Sequence, residues 1–185
     1  MPTIRTETTK HLSDLVAANK HILEAVESQL DTSAVKRIPE AMSILTDTAS
    51  LLRKYINELH HMNSAYDSDI KAGLKKLFTN VLGNLAGAYN HLRDEGAARA
   101  VRDTYTSLAL LNASLLALKT FGLTVKNTQI SKLAYDRLAE LCPLIEKYNQ
   151  TIPYVVARET ALEDGLVYDA DIPRRVCEST QKLWS

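Results

Sequence analysis

The sequence Glu58-Leu59-His60-His61 holds the chain's one Glu-x-x-His spacing. Residues three apart project from the same side of a helix, so such a pair can hold a metal between helices. A di-iron helical bundle needs two of these motifs, plus a Glu from each of two further helices. Leu45, Leu52 and Leu59 form one core column, so Glu58 and His61 are expected on the outward side. There His60 and His61 suit the negative end of the helix dipole. Asp136, Arg137 and Glu140 also lie at helical spacing. They read as a surface charge cluster in which Arg137 pairs with Glu140. Tyr105 and Asn112 fall on or near a buried face, where a Tyr packs its ring and bonds its hydroxyl. Cys142 precedes Pro143, with no His placed to activate it. Arg174 and Arg175 read as an exposed pair. There is no Gly-rich phosphate loop and no nucleophile elbow.

The rest of the chain must position these groups. Its 185 residues suit one domain with a sizeable core, and 45% are hydrophobic, an ordinary globular value. Ala, Leu and charged residues dominate and Gly and Pro are few, which points to an all-helical protein. Lys plus Arg equal Asp plus Glu at 22 each. No basic excess exists to neutralise phosphates, so nucleic acid is not an expected partner. The opening MPTIRTETTKHL has no apolar core of a signal peptide. No unbroken apolar run reaches the roughly 18 residues of a membrane helix, so no membrane is expected. Cys142 and Cys177 lack metal-ligand spacing and are expected as reduced thiols in a cytoplasmic protein.

Apolar spacing predicts a first helix over 6–30, with Leu12, Val16, Asn19, Leu23, Val26 and Leu30 on one face. Asp31 to Ser33 supply caps for a second helix, which starts or bends near Pro39 and stops near Asn63. Its stripe is Ile38, Met42, Leu45, Ala49, Leu52, Ile56 and Leu59, and it turns small and polar at LTDTAS. A third segment over 67–92 carries Ile70, Leu74, Leu77, Val81, Leu85 and Ala88. Its Gly73, Gly83 and Gly87 permit close approach of a neighbour. A fourth helix spans 97–121, with Val101, Leu108, Leu115 and Leu118 inward and Gly122 at its C-terminal stop. A fifth spans about 128–149, capped by Asn127 or Thr128 and bent by Pro143. It buries Ile130, Leu133, Leu141, Ile145 and Tyr148. Residues 153–185 form an extension ending in a short helix with Pro173 in its first turn, docked by Val176, Leu183 and Trp184. Leu110, Leu111, Leu115 and Leu116 widen the fourth helix's stripe beyond one face, which calls for a second partner.

The segments HLSDLVAANKHILEAV, LTDTASLL, EGAARAVRDTYTSLALLNASLLALKTFG and ISKLAYDRLAEL resemble the ferritin-like superfamily. The closest resemblance is to its bacterial stress-associated YciF-type branch, over about residues 10–158. The resemblance implies an all-α, ferritin-like antiparallel four-helix bundle over 1–152. An extra crossover helix and a C-terminal helical extension over 153–185 complete it. It also implies where metal ligands would stand, and here the chain departs from the family. Asn19 stands where the first helix would offer a Glu, and Thr46 and Ala49 where the second would offer Glu-x-x-His. Thr104 and Tyr105 stand in the fourth helix's acidic stretch, and only Glu140, or Asp136 beside it, remains in the fifth.

These six positions read as a former metal site refilled with small polar residues. Close carboxylates without a metal raise one another's pKa and destabilise the core, which Thr, Ala and Asn avoid. Asn19 then needs a partner such as Tyr105 or a water. The expectation is a noncatalytic, metal-free protein without cofactor. It would act as a stress-linked homodimer or as a scaffold for another protein. The alternatives are a degenerate di-iron oxidase or peroxidase, or a small-molecule or lipid binder using the former metal cavity.

Overall fold

A computed structural model describes residues 4–62 and 96–184. The segment expected over 67–92 lies outside the described residues. Among the described residues the chain is all-helical, with six helices: α1 (Ile4–Leu30), α2 (Ser33–Lys36), α3 (Pro39–Met62), α4 (Ala97–Thr124), α5 (Thr128–Glu163) and α6 (Asp171–Trp184).

Local chemistry sets most of these boundaries. The Thr32 hydroxyl accepts from the Val35 amide and opens the short α2. Pro39 then starts α3, where its missing N–H costs nothing. The Asn127 side chain accepts from the Ile130 amide and caps α5. Two expected stops move. Gly122 is buried within α4 rather than ending it. A Cβ there would stand 2.7 Å from the Ser131 backbone nitrogen, so glycine lets α4 and α5 approach closely beside their connecting turn. The left-handed residue of that turn is Lys126, at φ 57°. The fifth helix, expected to end near Asn149, runs on through Pro143 and Pro153 to Glu163. It ends where Gly165, at φ 65°, allows the Leu166 amide to reach the Ala161 carbonyl at 2.9 Å.

Cross-helix contacts give the directions. From α3 to α5 they run Glu40–Arg158, Asp47–Lys147 and Lys54–Glu140, so these helices are antiparallel. From α4 to α5 they run Ala98–Glu159, Asn112–Cys142 and Lys119–Tyr135, also antiparallel. Helices α3 and α4 therefore point the same way, and the end of α3 and the start of α4 lie at opposite ends of the molecule.

One hydrophobic core joins α1, α3, α4 and α5. Leu12, Val16 and Val26 of α1 enter it as expected, with Leu15 and Ile22 beside them, while Leu23 and Leu30 are only partly buried. Ile38, just before α3, and Leu45, Ala49, Leu52 and Leu59 within it are buried, joined by Ala41, Ile44 and Tyr55. Met42 is exposed and Ile56 half-buried, because the buried stripe runs one position to the side of the one drawn. Helix α4 meets the length and composition of a membrane span, with mean hydropathy 1.3. It nevertheless places Val101, Leu108, Leu111, Leu115 and Leu118 in this shared core. Leu110 and Leu116 are exposed on its other side. In α6, Pro173 is buried whereas Val176 is exposed, and the side chains of Leu183 and Trp184 lie outside the described residues.

Candidate functional site

The four long helices each contribute one polar side chain to a buried layer: Gln29 from α1, Thr48 from α3, Thr104 from α4 and Tyr148 from α5. Helical spacing brings them inward. Gln29 follows Val26 by three residues, Thr48 follows Leu45 by three, and Thr104 follows Val101 by three, each beside an apolar core position.

The layer is closed by its own hydrogen bonds. The Thr104 hydroxyl donates to Gln29 Oε1 at 2.8 Å. The Thr48 hydroxyl donates to the Ile44 carbonyl at 2.8 Å and shares a 2.7 Å bond with the Tyr148 hydroxyl. Tyr148 therefore donates to Thr48, whose own proton goes to Ile44. Tyr105 is half-buried, its ring 6.2 Å from that of Tyr148. Burial pushes the Tyr148 phenol well above its ordinary range, and the bond to Thr48 only partly offsets this. The layer therefore carries neutral groups, and none of them titrates near neutral pH.

A second cluster ties α3 to α5. Arg137 is buried, and its guanidinium pairs with Glu58 and stacks on the Tyr55 ring at 4.2 Å. The Tyr55 hydroxyl donates to the Arg137 carbonyl at 2.8 Å. Burial first, and then the Glu140 charge, raise the Tyr55 phenol far above its usual range. This corrects the expected surface cluster on α5. Arg137 reaches across to Glu58, while Glu140 pairs with Lys54 at 2.7 Å and Asp136 with Lys132 at 2.6 Å. The reason is azimuth: Arg137 lies between Ala134 and Leu138 on the inward arc, and its long stem carries the charge out to the rim.

The six expected site positions do not assemble. Thr104 and Tyr105 stand in or beside the layer, and Ala49 is buried next to Thr48. Thr46 is exposed and bonds back to the Met42 carbonyl. Glu140 is at the rim, in an ion pair. Asn19 is buried, at 1% exposure, but ten residues along α1 from Gln29, roughly 15 Å away at the helical rise. Its Nδ2 donates to the Leu15 carbonyl at 2.7 Å, and its Oδ1 has no partner. Tyr105 is thus not the partner expected for Asn19.

Sequence reasoning missed Gln29 and Thr48 and read Tyr148 as an apolar contact. The signal was present in LTDTAS, since Thr48 fits the Leu45–Leu52 stripe as well as Ala49 does. Glu58 is half-exposed on the rim, and the side chains of His60 and His61 lie outside the described residues. Cys142 is exposed, its Sγ 3.7 Å from Asn112 Oδ1, with Asn112 half-buried. Arg174 pairs with Asp171 and Glu178, and Arg175 is exposed.

These groups do not fit the dinuclear iron site that a ferritin-like fold would imply. Hydroxyls and an amide already bonded to one another are poor substitutes for carboxylates and imidazoles. Among the described residues no three His, Cys, Asp or Glu side chains gather closely enough to hold a metal ion. No protein family, curated protein or solved structure matches the chain.

Proposed function

We propose that the protein is noncatalytic and metal-free and acts through its surface, as a self-associating helical scaffold. The observation that carries this reading is the neutral layer of Gln29, Thr48, Thr104 and Tyr148. It fills one buried layer of the core with groups that bond to each other and leave no acid, base or nucleophile poised for chemistry. We further propose a ferritin-like four-helix bundle with a crossover. The shared direction of α3 and α4 supports it, because such a pair needs a connection from one end of the molecule to the other.

Self-association is supported by the outer side of α4. No charged residue occurs between Asp103 and Lys119, and Leu110, Leu116 and Leu123 are 67%, 51% and 62% exposed. Such a surface favours contact with another helix, and twofold dimers are the commonest closed assembly. Elemental analysis of protein purified without chelators tests the metal-free reading. One or two irons per chain would overturn it. Sedimentation at micromolar concentration tests the dimer, and a strictly monomeric species would remove it.

A further inference from the structure

We infer that α6 is a hinged arm that leaves α5 while the other helices stay folded. Two features of its docking carry the inference. Among the described α6 side chains only Pro173 is buried and Cys177 half-buried, and the rest are exposed. The one hydrogen bond described from α6 to another helix runs from the Cys177 thiol to the Gln150 carbonyl at 3.3 Å. The ion pairs of Arg174, with Asp171 and Glu178, lie within α6 and survive its release. A groove of about 570 Å³ lies between the two helices, lined by Asn149, Gln150 and Tyr154 of α5 and Arg174, Cys177 and Gln181 of α6 among others. Packing with this much open space forfeits contact that a core helix would make.

The link permits the motion. Residues 164–170 are exposed except for half-buried Tyr168, whose ring lies 4.2 Å from the Arg158 guanidinium, itself paired with Glu40. Tyr168 therefore stays fixed to the α3–α5 body, while the Asp169 carboxylate accepts from the Asp171 amide at 2.9 Å and moves with α6, which leaves the Tyr168–Asp169 link to turn. Helical spacing sets Ile172, Pro173, Val176, Cys177 and Thr180 on one arc of α6. Docked, α5 covers the Pro173–Cys177 edge and leaves Ile172 54% and Val176 42% exposed. Released, the helix presents the whole arc as one amphipathic face, while α5 uncovers half-buried Tyr154.

The two cysteines allow a direct test on the full chain: maleimide labelling followed peptide by peptide in urea below the unfolding transition. Cys177 is normalised to its own rate in the unfolded chain, because burial raises its thiol above the ordinary range and slows it intrinsically. Exposed Cys142 serves as the internal control. The arm predicts Cys177 slowed by roughly tenfold or more, yet reacting at least about a hundredfold faster than global unfolding allows. Its rate should depend only weakly on urea, since little surface is exposed by undocking. Pro173→Ser should speed Cys177 without changing Cys142 or the thermal unfolding of the chain. Cys177 labelling that appears only with the steep urea dependence of global unfolding would overturn the inference. So would a Cys177 with no protection, because then no docked state exists.

Discussion

Replacing Asn19 by leucine should stabilise the protein. The side chain is 1% exposed and sits in the apolar run of α1 between Val16 and Ile22. Leucine keeps the number and branching of the side-chain heavy atoms, and its bulkier methyl groups add volume that the neighbouring core side chains must take up. Two polar terms favour the substitution on balance. Asn19 Oδ1 is buried without a partner, a penalty of about 1–3 kcal/mol that the substitution removes. The lost bond from Nδ2 to the Leu15 carbonyl contributes about 0.5–1 kcal/mol, and that carbonyl keeps its acceptor role in the helix ladder. The expected net gain is about 1 kcal/mol, a rise in Tm of roughly 2–4 °C for a chain of this size. Calorimetry and urea unfolding of Asn19→Leu against the parent measure it, with an unchanged m value as the check on two-state behaviour. A loss of about 1 kcal/mol or more would refute the reasoning. It would mean that Oδ1 has a bonded partner, such as a trapped water, or that the packing around α1 resists the larger leucine.

The opposite sign is expected in the hydrogen-bonded layer. Tyr148→Phe and Thr48→Val should each cost about 1–2 kcal/mol, and a double-mutant cycle should show that the two losses overlap because they remove one shared bond. Alkaline pH supplies an independent test. The folded phenols of Tyr55 and Tyr148 hold their protons more tightly than the unfolded chain does. Stability should therefore be unaffected by them below about pH 10 and fall above it, by about 1.4 kcal/mol per pH unit for each; urea midpoints between pH 9 and 12 should show this slope halved in Tyr148→Phe. At the start of α4, the Glu159 carboxylate accepts from the Ala97 and Ala98 amides, and a Cβ on Gly96 would meet it at 2.5 Å. Gly96→Ala and Glu159→Ala should each cost about 1 kcal/mol by losing this cap, and the double variant should cost little more than either alone by urea unfolding.

Periodicity made the helices legible and left their partners hidden. The 3.6-residue spacing located α1, α3, α4 and the first part of α5, because each has a continuous apolar arc. It failed beyond Asn149, where residues 153–185 read as a separate extension, although Val155 and Ala161 continue the buried face to Glu163. It also could not separate neighbours on one arc. Thr48 and Ala49 both lie on the inward side of α3, and only the approach of Tyr148 from α5 makes Thr48 the polar contact. Arg137 shows a further limit. Its neighbours Asp136 and Glu140 suggested a surface pair, while the charge it meets, Glu58, is far away in sequence. Capping was more legible at Asn127 than at Gly96, because the Asn127 cap is local and Glu159 reaches Gly96 from the far end of α5.

The most direct test of the central reading is native mass spectrometry of the full chain, purified without chelators and sprayed from micromolar solution. A noncatalytic core filled by Gln29, Thr48, Thr104 and Tyr148 predicts that each chain appears at its sequence mass, with no bound metal and no retained small molecule. Chains carrying the added mass of one or two iron ions, or of a stoichiometric organic ligand, would contradict it.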